Sequence, residues 1–147
     1  MERLDRFKDE HATEENDQFW VCIDQDHWAH ENHLRNLTQV LAHCRNKGYH
    51  VAMSNPCFEF WLLLHFEEPN LAASASCREV SVRLAELMGG YNKVKCCGSL
   101  PFTGARVHDA IRRARRLDDG HAVPQAPVTR MHLILEQLLA RDSIELA

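Results

Sequence analysis

A small α/β protein is the fold class this sequence predicts, with a parallel sheet flanked by helices and a helical C-terminal half packed on it. Three observations carry that reading. The run Phe19–Ile23 is continuous, aromatic and β-branched, and is closed by acids, the pattern of a strand buried on both faces. Leu34, Leu37, Leu41 and Cys44 then recur at helical spacing up to Gly48, before a second short strand in YHVAMS. Beyond residue 74 only helical stripes follow. A strand, helix and strand in that order make a parallel pair joined by a right-handed crossover.

Length and charge bound the alternatives. With 147 residues and 17.0 kDa the chain fits one domain, and chains of that size bury roughly two-thirds of their unfolded surface. Hydrophobic residues at 45% and charged residues at 26% set aside whole-chain disorder and fibres. Lys+Arg 17 against Asp+Glu 21 gives a net charge of -4, so a global polyanion-binding surface is excluded while a local basic face stays open. The longest apolar stretch, Phe60–Leu64, falls far short of the roughly 18 residues that span a bilayer. The N-terminus has no apolar h-region, and the chain reads as cytoplasmic, with no membrane partner. Cys22, Cys44, Cys57, Cys77, Cys96 and Cys97 sit mostly in apolar runs without a C-x-x-C spacing, so reduced thiols are expected rather than a disulfide framework or a structural zinc.

Taken in order, residues 1–17 are a charged arm, a frayed helix or a mobile segment, with Leu4 and Phe7 as its large apolar groups, too polar for a central strand; the domain proper runs over 18–147. After the second strand, Asn55 is expected to cap a helix with Pro56 at its first position. That helix, CFEFWLLLHF, is apolar nearly all round and belongs at the centre of the core. Val80, Leu84 and Leu87 make the next stripe, ending at Gly89-Gly90. Val107, Ala110, Ile111, Ala114 and Leu117 make another. Past the Pro124–Pro127 linker, Met131, Ile134, Leu135 and Leu138 make the last, with Thr129 as its cap. The segment YNKVKCCGSLPFTG between the first two of these stripes reads as a loop.

Chemistry is concentrated at the end of the first strand. Asp24 and Asp26 are two apart, so in an extended chain both carboxylates project to one side at the C-terminal edge, where open α/β sheets bind ligands. At a separation of about 5 Å two carboxylates repel by roughly 3 kcal/mol at an effective dielectric near 20, and under 1 kcal/mol in water. A hard cation, Mg²⁺ or Mn²⁺, relieves that repulsion in a partly buried pair. The plainer account of Asp-Gln-Asp is a polar turn leaving a strand. His27, His30 and His33 follow at intervals of three and could offer imidazoles to a transition metal, although a solvated first turn explains them more simply. Glu59 lies in the first turn of the apolar helix, where the helix dipole favours a carboxylate, and its neighbours Phe58 and Phe60 predict burial. His65, on an apolar face, reads as a hydrogen-bonded core histidine. Lys93 and Lys95 in the loop, with Arg106, Arg112, Arg113, Arg115 and Arg116 on the polar side of a helix, could track phosphates or simply form a solvated face.

The strings WVCIDQDHW, HVAMSNPCFEFWLLLHF, YNKVK and AIRRARRLDD together resemble the RloB family over roughly residues 19–139. SNPxFExWLLLHF is the most specific of them. The resemblance implies a Toprim-like (Rossmann-like) fold associated with phage defence, whose acidic residues bind Mg²⁺ or Mn²⁺ for phosphodiester hydrolysis in DNA or RNA. It assigns Asp24 and Asp26 to the metal, Glu59 with them to catalysis, and Ser54 and Asn55 to the strand-to-helix turn. With a nucleic-acid substrate, Lys93, Lys95, Arg112, Arg113 and Arg116 of the basic loop and helix are the expected contacts. A defence ATPase is the implied partner. Toprim domains also carry a catalytic glutamate at the end of a strand upstream of the aspartates, and residues 1–18 contain no apolar run that could be that strand. This departure leaves a second reading, a catalytically silent binding or regulatory subunit, and an open sheet edge that invites a partner or a second copy. A small-molecule phosphatase or kinase-like enzyme has less support, since no phosphate-cradling glycine loop is visible.

Overall fold

The structure, a computed structural model, describes residues 2–28, 31–93 and 102–140, and only the backbone of residues 27, 28 and 31–35. Its elements are α1 (Glu2–Glu10), β1 (Trp20–Asp24), a 3₁₀ turn (Gln25–Trp28), α2 (Glu31–Asn46) and β2 (His50–Asn55). They are followed by α3 (Glu59–Leu64), α4 (Cys77–Met88), α5 (Gly104–Leu117), β3 (Val128–Thr129) and α6 (Met131–Ala140). Among the described residues no helix is long and apolar enough to cross a membrane.

The expected parallel pair is present: β1 runs beside β2 in register, Trp20 opposite His50 and Asp24 opposite Ser54. The sheet as a whole is mixed, which corrects the purely parallel expectation. Its order is β1-β2-β3, and β3 pairs antiparallel to β2 through Ser54–Thr129 and Asn55–Val128. Two residues carry no periodicity, and the prolines around Val128 read as linker; the pairing is made by tertiary contact. Ser54 Oγ and Thr129 Oγ1 lie 2.8 Å apart in the buried ladder, and Arg130 N–H donates to Met53 O.

Two apolar clusters hold the layers. Ile23, Leu37 and Met53, with Val21, Val40, Leu41 and Val51 against them, seal α2 to one face of the sheet. Gly48, at φ 70°, ends the turn that returns α2 to β2, as its position in the sequence implies. All six residues of α3 are buried, and α3 anchors the larger cluster with Val80, Leu84, Ala110, Ile111 and Ala114. Each buried Val, Leu, Ile, Phe or Met side chain among these stabilises the fold by roughly 1.5–3 kcal/mol relative to exposure. In α6 the stripe is rotated from expectation. Met131, Leu135 and Leu139 face the cluster, His132 is buried with Nδ1 3.1 Å from Thr129 O, and Leu138 is exposed. Thr129 still serves the helix start, accepting from Met131 N–H at 3.4 Å.

Other expectations change for identifiable reasons. β1 is covered on one face only: Ile23 is buried under α2 while Cys22 on the opposite face is exposed. α3 begins at Glu59 rather than Pro56, with Phe58 at its cap and a turn ahead of it in which Phe60 N–H donates to Cys57 O at 3.0 Å. Asn55 is not the cap; its Nδ2 donates to Pro124 O and Ala126 O. The polar arm is helical and docked: Tyr49 O–H donates to Asp5 at 2.6 Å, Lys47 pairs with Asp5 at 3.4 Å, and Lys8 lies over the rings of Phe19 and Tyr49. Cys57 and Cys77 form a disulfide, against the expectation of reduced thiols. The turn after β2 carries Cys57 to the N-terminus of α4, a proximity that a separation of 20 residues does not announce.

Candidate functional site

The site is assembled at the C-terminal end of the parallel pair. Asp24 is the last residue of β1, and the 3₁₀ turn folds the chain back at once, with Asp26 N–H donating to Pro56 O at 2.9 Å. Asp26 thus belongs to the turn, not to the strand. Asp26 stays within electrostatic reach of Asp24 because the backbone of the turn is pinned to the β2–α3 connection, rather than through strand alternation.

From that connection α3 brings in Glu59. Its carboxylate is 1% exposed, and burial of this depth demands partners. Lys93 Nζ sits 2.9 Å from Oε1, the Tyr91 hydroxyl donates to the same oxygen at 3.3 Å, and Cys77 Sγ lies 3.7 Å from Oε2.

The charges act on one another. Asp24 has its carboxyl pushed above the usual range, first by burial and then by the charges of Asp26 and Glu59; a hydrogen bond from the Phe58 backbone and the charge of Lys93 work against the rise. Lys93 is raised in turn, mainly by its bond to Glu59 and also by Asp24 and Asp26. These mutual effects place Asp24, Asp26, Glu59 and Lys93 in one electrostatic cluster, so acids from β1, the 3₁₀ turn and α3 are coupled to one lysine from the loop. With all three acids ionised and the lysine protonated, the cluster carries a net charge of -2.

A cleft of about 530 Å³ opens beside it, lined by Asp26, Asn55, Ser76, Cys77, Arg78 and Gln125 among others. Of the remaining candidates, Ser54 is buried in the β2–β3 ladder and Asn55 closes the 124–126 loop, so both support the turn from behind. Lys95 and His30 lie outside the described residues, as do the side chains of His27 and His33.

Arg112, Arg113 and Arg116 are not part of the cluster. Arg113 donates to Leu64 O at 2.6 Å, at the opposite end of α3 from Glu59, and its side chain is mostly covered. Arg112 pairs with Asp109, Arg116 with Glu68 and Arg115 with Glu136, while Arg106 lies over the Phe66 ring. His65 is the core histidine its position implies. Its Nδ1 is 2.9 Å from Trp61 O, the ring stacks on Phe102, and burial holds its pKa below the ordinary value.

Sequence reasoning passed over Tyr91 and the Cys57–Cys77 pair. Tyr91 had a signal, since it stands two residues before Lys93 in a loop already under suspicion. The cysteines had none.

Fold and site together define a mixed α/β protein with a carboxylate–lysine cluster at the carboxyl ends of two parallel strands. The chain belongs to the RloB-like protein family, whose model matches residues 1–138, the docked arm included. No curated protein and no solved structure matches it.

Proposed function

We propose that this protein hydrolyses phosphodiester bonds in DNA or RNA as a Toprim-like domain of a cytoplasmic phage-defence system. The observation that carries the reading is the electrostatic coupling of Asp24 to Asp26 and Glu59, contributed by three separate elements, at the strand edge where α/β sheets bind ligands. Their donors are all carboxylate oxygens, the set that suits Mg²⁺ or Mn²⁺. The like-charge crowding at Asp24 is the stress such an ion relieves. The residues therefore fit a divalent cation, with Asp24 and Asp26 as ligands and Glu59 beside them. When bound, that ion supplies an activated water and charge stabilisation on the reacting phosphate oxygens.

The chain's own groups do the rest. Lys93, whose side chain is 67% exposed although its ammonium pairs with Glu59, presents positive charge at the cluster and can hold a phosphate oxygen by charge-assisted hydrogen bonding. Tyr91 and Lys93 fix one oxygen of Glu59, which orients that carboxylate inside a buried first turn. The 3₁₀ turn, pinned through Asp26 N–H, holds the second aspartate in place as substrate enters. Incubation of the protein with mixed DNA and RNA in Mg²⁺ or Mn²⁺ tests this: wild type cleaves and Asp24→Ala/Asp26→Ala does not. Equal cleavage by both proteins removes the proposal.

A second reading, a silent subunit that docks on a defence ATPase or on another copy of the chain, is favoured by one feature. Among the described strands β1 is paired on one side only, and an open edge is a template for another strand. Partner binding that survives the double alanine substitution, without cleavage, supports it.

A further inference from the structure

Beside the oxygen donors lies a different set. Cys57 Sγ, Cys77 Sγ and a carboxylate oxygen of Asp26 all fall within 4.8 Å of one another. Glu59 extends the group. Its Oε1 is taken by Lys93 and Tyr91, while its Oε2 turns toward Cys77 Sγ at 3.7 Å. A disulfide sulfur has no hydrogen to give that buried oxygen; a thiol has one, and a shared cation would serve both. We propose that, once the Cys57–Cys77 bond is reduced, these two thiolates bind a thiophilic divalent cation of the zinc class together with Asp26 and Glu59.

The dimensions agree. Tetrahedral zinc takes sulfur at about 2.3 Å and carboxylate oxygen at about 2.0–2.2 Å, which puts neighbouring sulfur and oxygen ligands roughly 3.6 Å apart and two sulfurs roughly 3.8 Å apart. The Cys77–Glu59 separation of 3.7 Å already has that value. Opening the S–S bond lets the sulfurs move apart to theirs, and Asp26, within 4.8 Å of both sulfurs, closes on them by rotation of its side chain. Two sulfurs and two oxygens close a four-coordinate shell, and the sulfurs select against Mg²⁺. Entry is through the cleft, which both Asp26 and Cys77 line.

The reaction balances with a dithiol reductant, which becomes a cyclic disulfide as it delivers two electrons and two protons to Cys57 and Cys77. Cation binding then expels those two protons from the thiols. Binding itself stands apart from the phosphodiester reading. Its consequence rests on that reading: an ion held by the sulfurs withdraws Asp26 and Glu59 from the oxygen-donor set, so the thiol state decides which cation the site takes.

Cobalt(II) is the probe. The whole protein, treated with reductant and then freed of it without air, is titrated with Co²⁺ while the thiolate-to-cobalt charge-transfer band is followed. One equivalent should saturate the band, and one equivalent of Zn²⁺ should erase it. Cys57→Ser and Cys77→Ser should each weaken binding by more than the roughly 10–100-fold that loss of a supporting group costs. The variant Cys22→Ser/Cys44→Ser/Cys96→Ser/Cys97→Ser should keep the band. Wild type with the disulfide closed needs no substitution and should show no band until reductant is added. No band in the reduced wild type, a band in the closed form, or a band that persists without Cys57 and Cys77 overturns the proposal, whatever the nuclease assay gives.

Discussion

Replacing Asp24 by asparagine should make the metal-free protein more stable. The folded state holds its carboxyl above the usual range, first through burial and then through Asp26 and Glu59. A folded state that binds the proton more tightly than the unfolded chain loses stability as pH rises through that pKa, so at pH 7 the charge on Asp24 is a cost. With charges taken about 7 Å apart at an effective dielectric near 20, each acid repels Asp24 by about 2 kcal/mol and Lys93 attracts it by the same amount. The net, about 2 kcal/mol, falls to about 1 kcal/mol for a half-exposed group screened by solvent and salt. In a domain of this size 1 kcal/mol moves Tm by about 2–4 °C. Thermal melts in a chelator should therefore show Asp24→Asn above wild type at pH 7, with the difference shrinking below the carboxylate range. In Mg²⁺ the order should reverse, since an ion at 100 times its Kd stabilises wild type by about 2.7 kcal/mol. A variant that melts below wild type in chelator, or gains as much from Mg²⁺, would refute the reasoning.

Three further perturbations probe the supports of the site. Lys93→Met removes the charge partner of a fully buried Glu59 and should cost about 3 kcal/mol in chemical denaturation, whereas a loss under 1 kcal/mol would mean the pair is not formed in solution. Ser54→Ala and Thr129→Val should each cost about 1–3 kcal/mol, but the double variant should cost clearly less than their sum, because both halves of one buried hydrogen bond are gone. Additive losses would show that β3 does not pair with β2. The Tyr49 phenol, pushed up to about 12 chiefly by its bond to Asp5, should fall toward its ordinary 10.0 in Asp5→Asn when followed by ultraviolet absorbance; no change would undock α1.

The parts of the fold written into local pattern were legible before the structure. Leu37 and Cys44 mark the buried side of α2, α3 is buried throughout, and Val80, Leu84, Ala110 and Ala114 fall where helical spacing puts them. The parts made by long-range contact were not. β3 is two residues long and exists only because β2 offers Thr129 a buried partner in Ser54. The helical arm looked free because its acids and lysines meet Tyr49 and Lys47, more than thirty-five residues away. At the site, the two aspartates and Glu59 could be chosen by residue type and position, and Lys93 by its loop. The means by which Asp26 reaches Asp24, a 3₁₀ turn tied to Pro56 O, required the fold. So did the meeting of Cys57 with Cys77, twenty positions apart.

The central claim is that Asp24, Asp26 and Glu59 form one oxygen-donor site for a divalent cation. Calorimetric titration of Mn²⁺ into the whole protein with its disulfide closed tests it most directly. Uptake by wild type that is lost in Asp24→Asn/Asp26→Asn and weakened in Glu59→Gln is the result the account predicts. No uptake by wild type, or the same uptake by all three proteins, contradicts it.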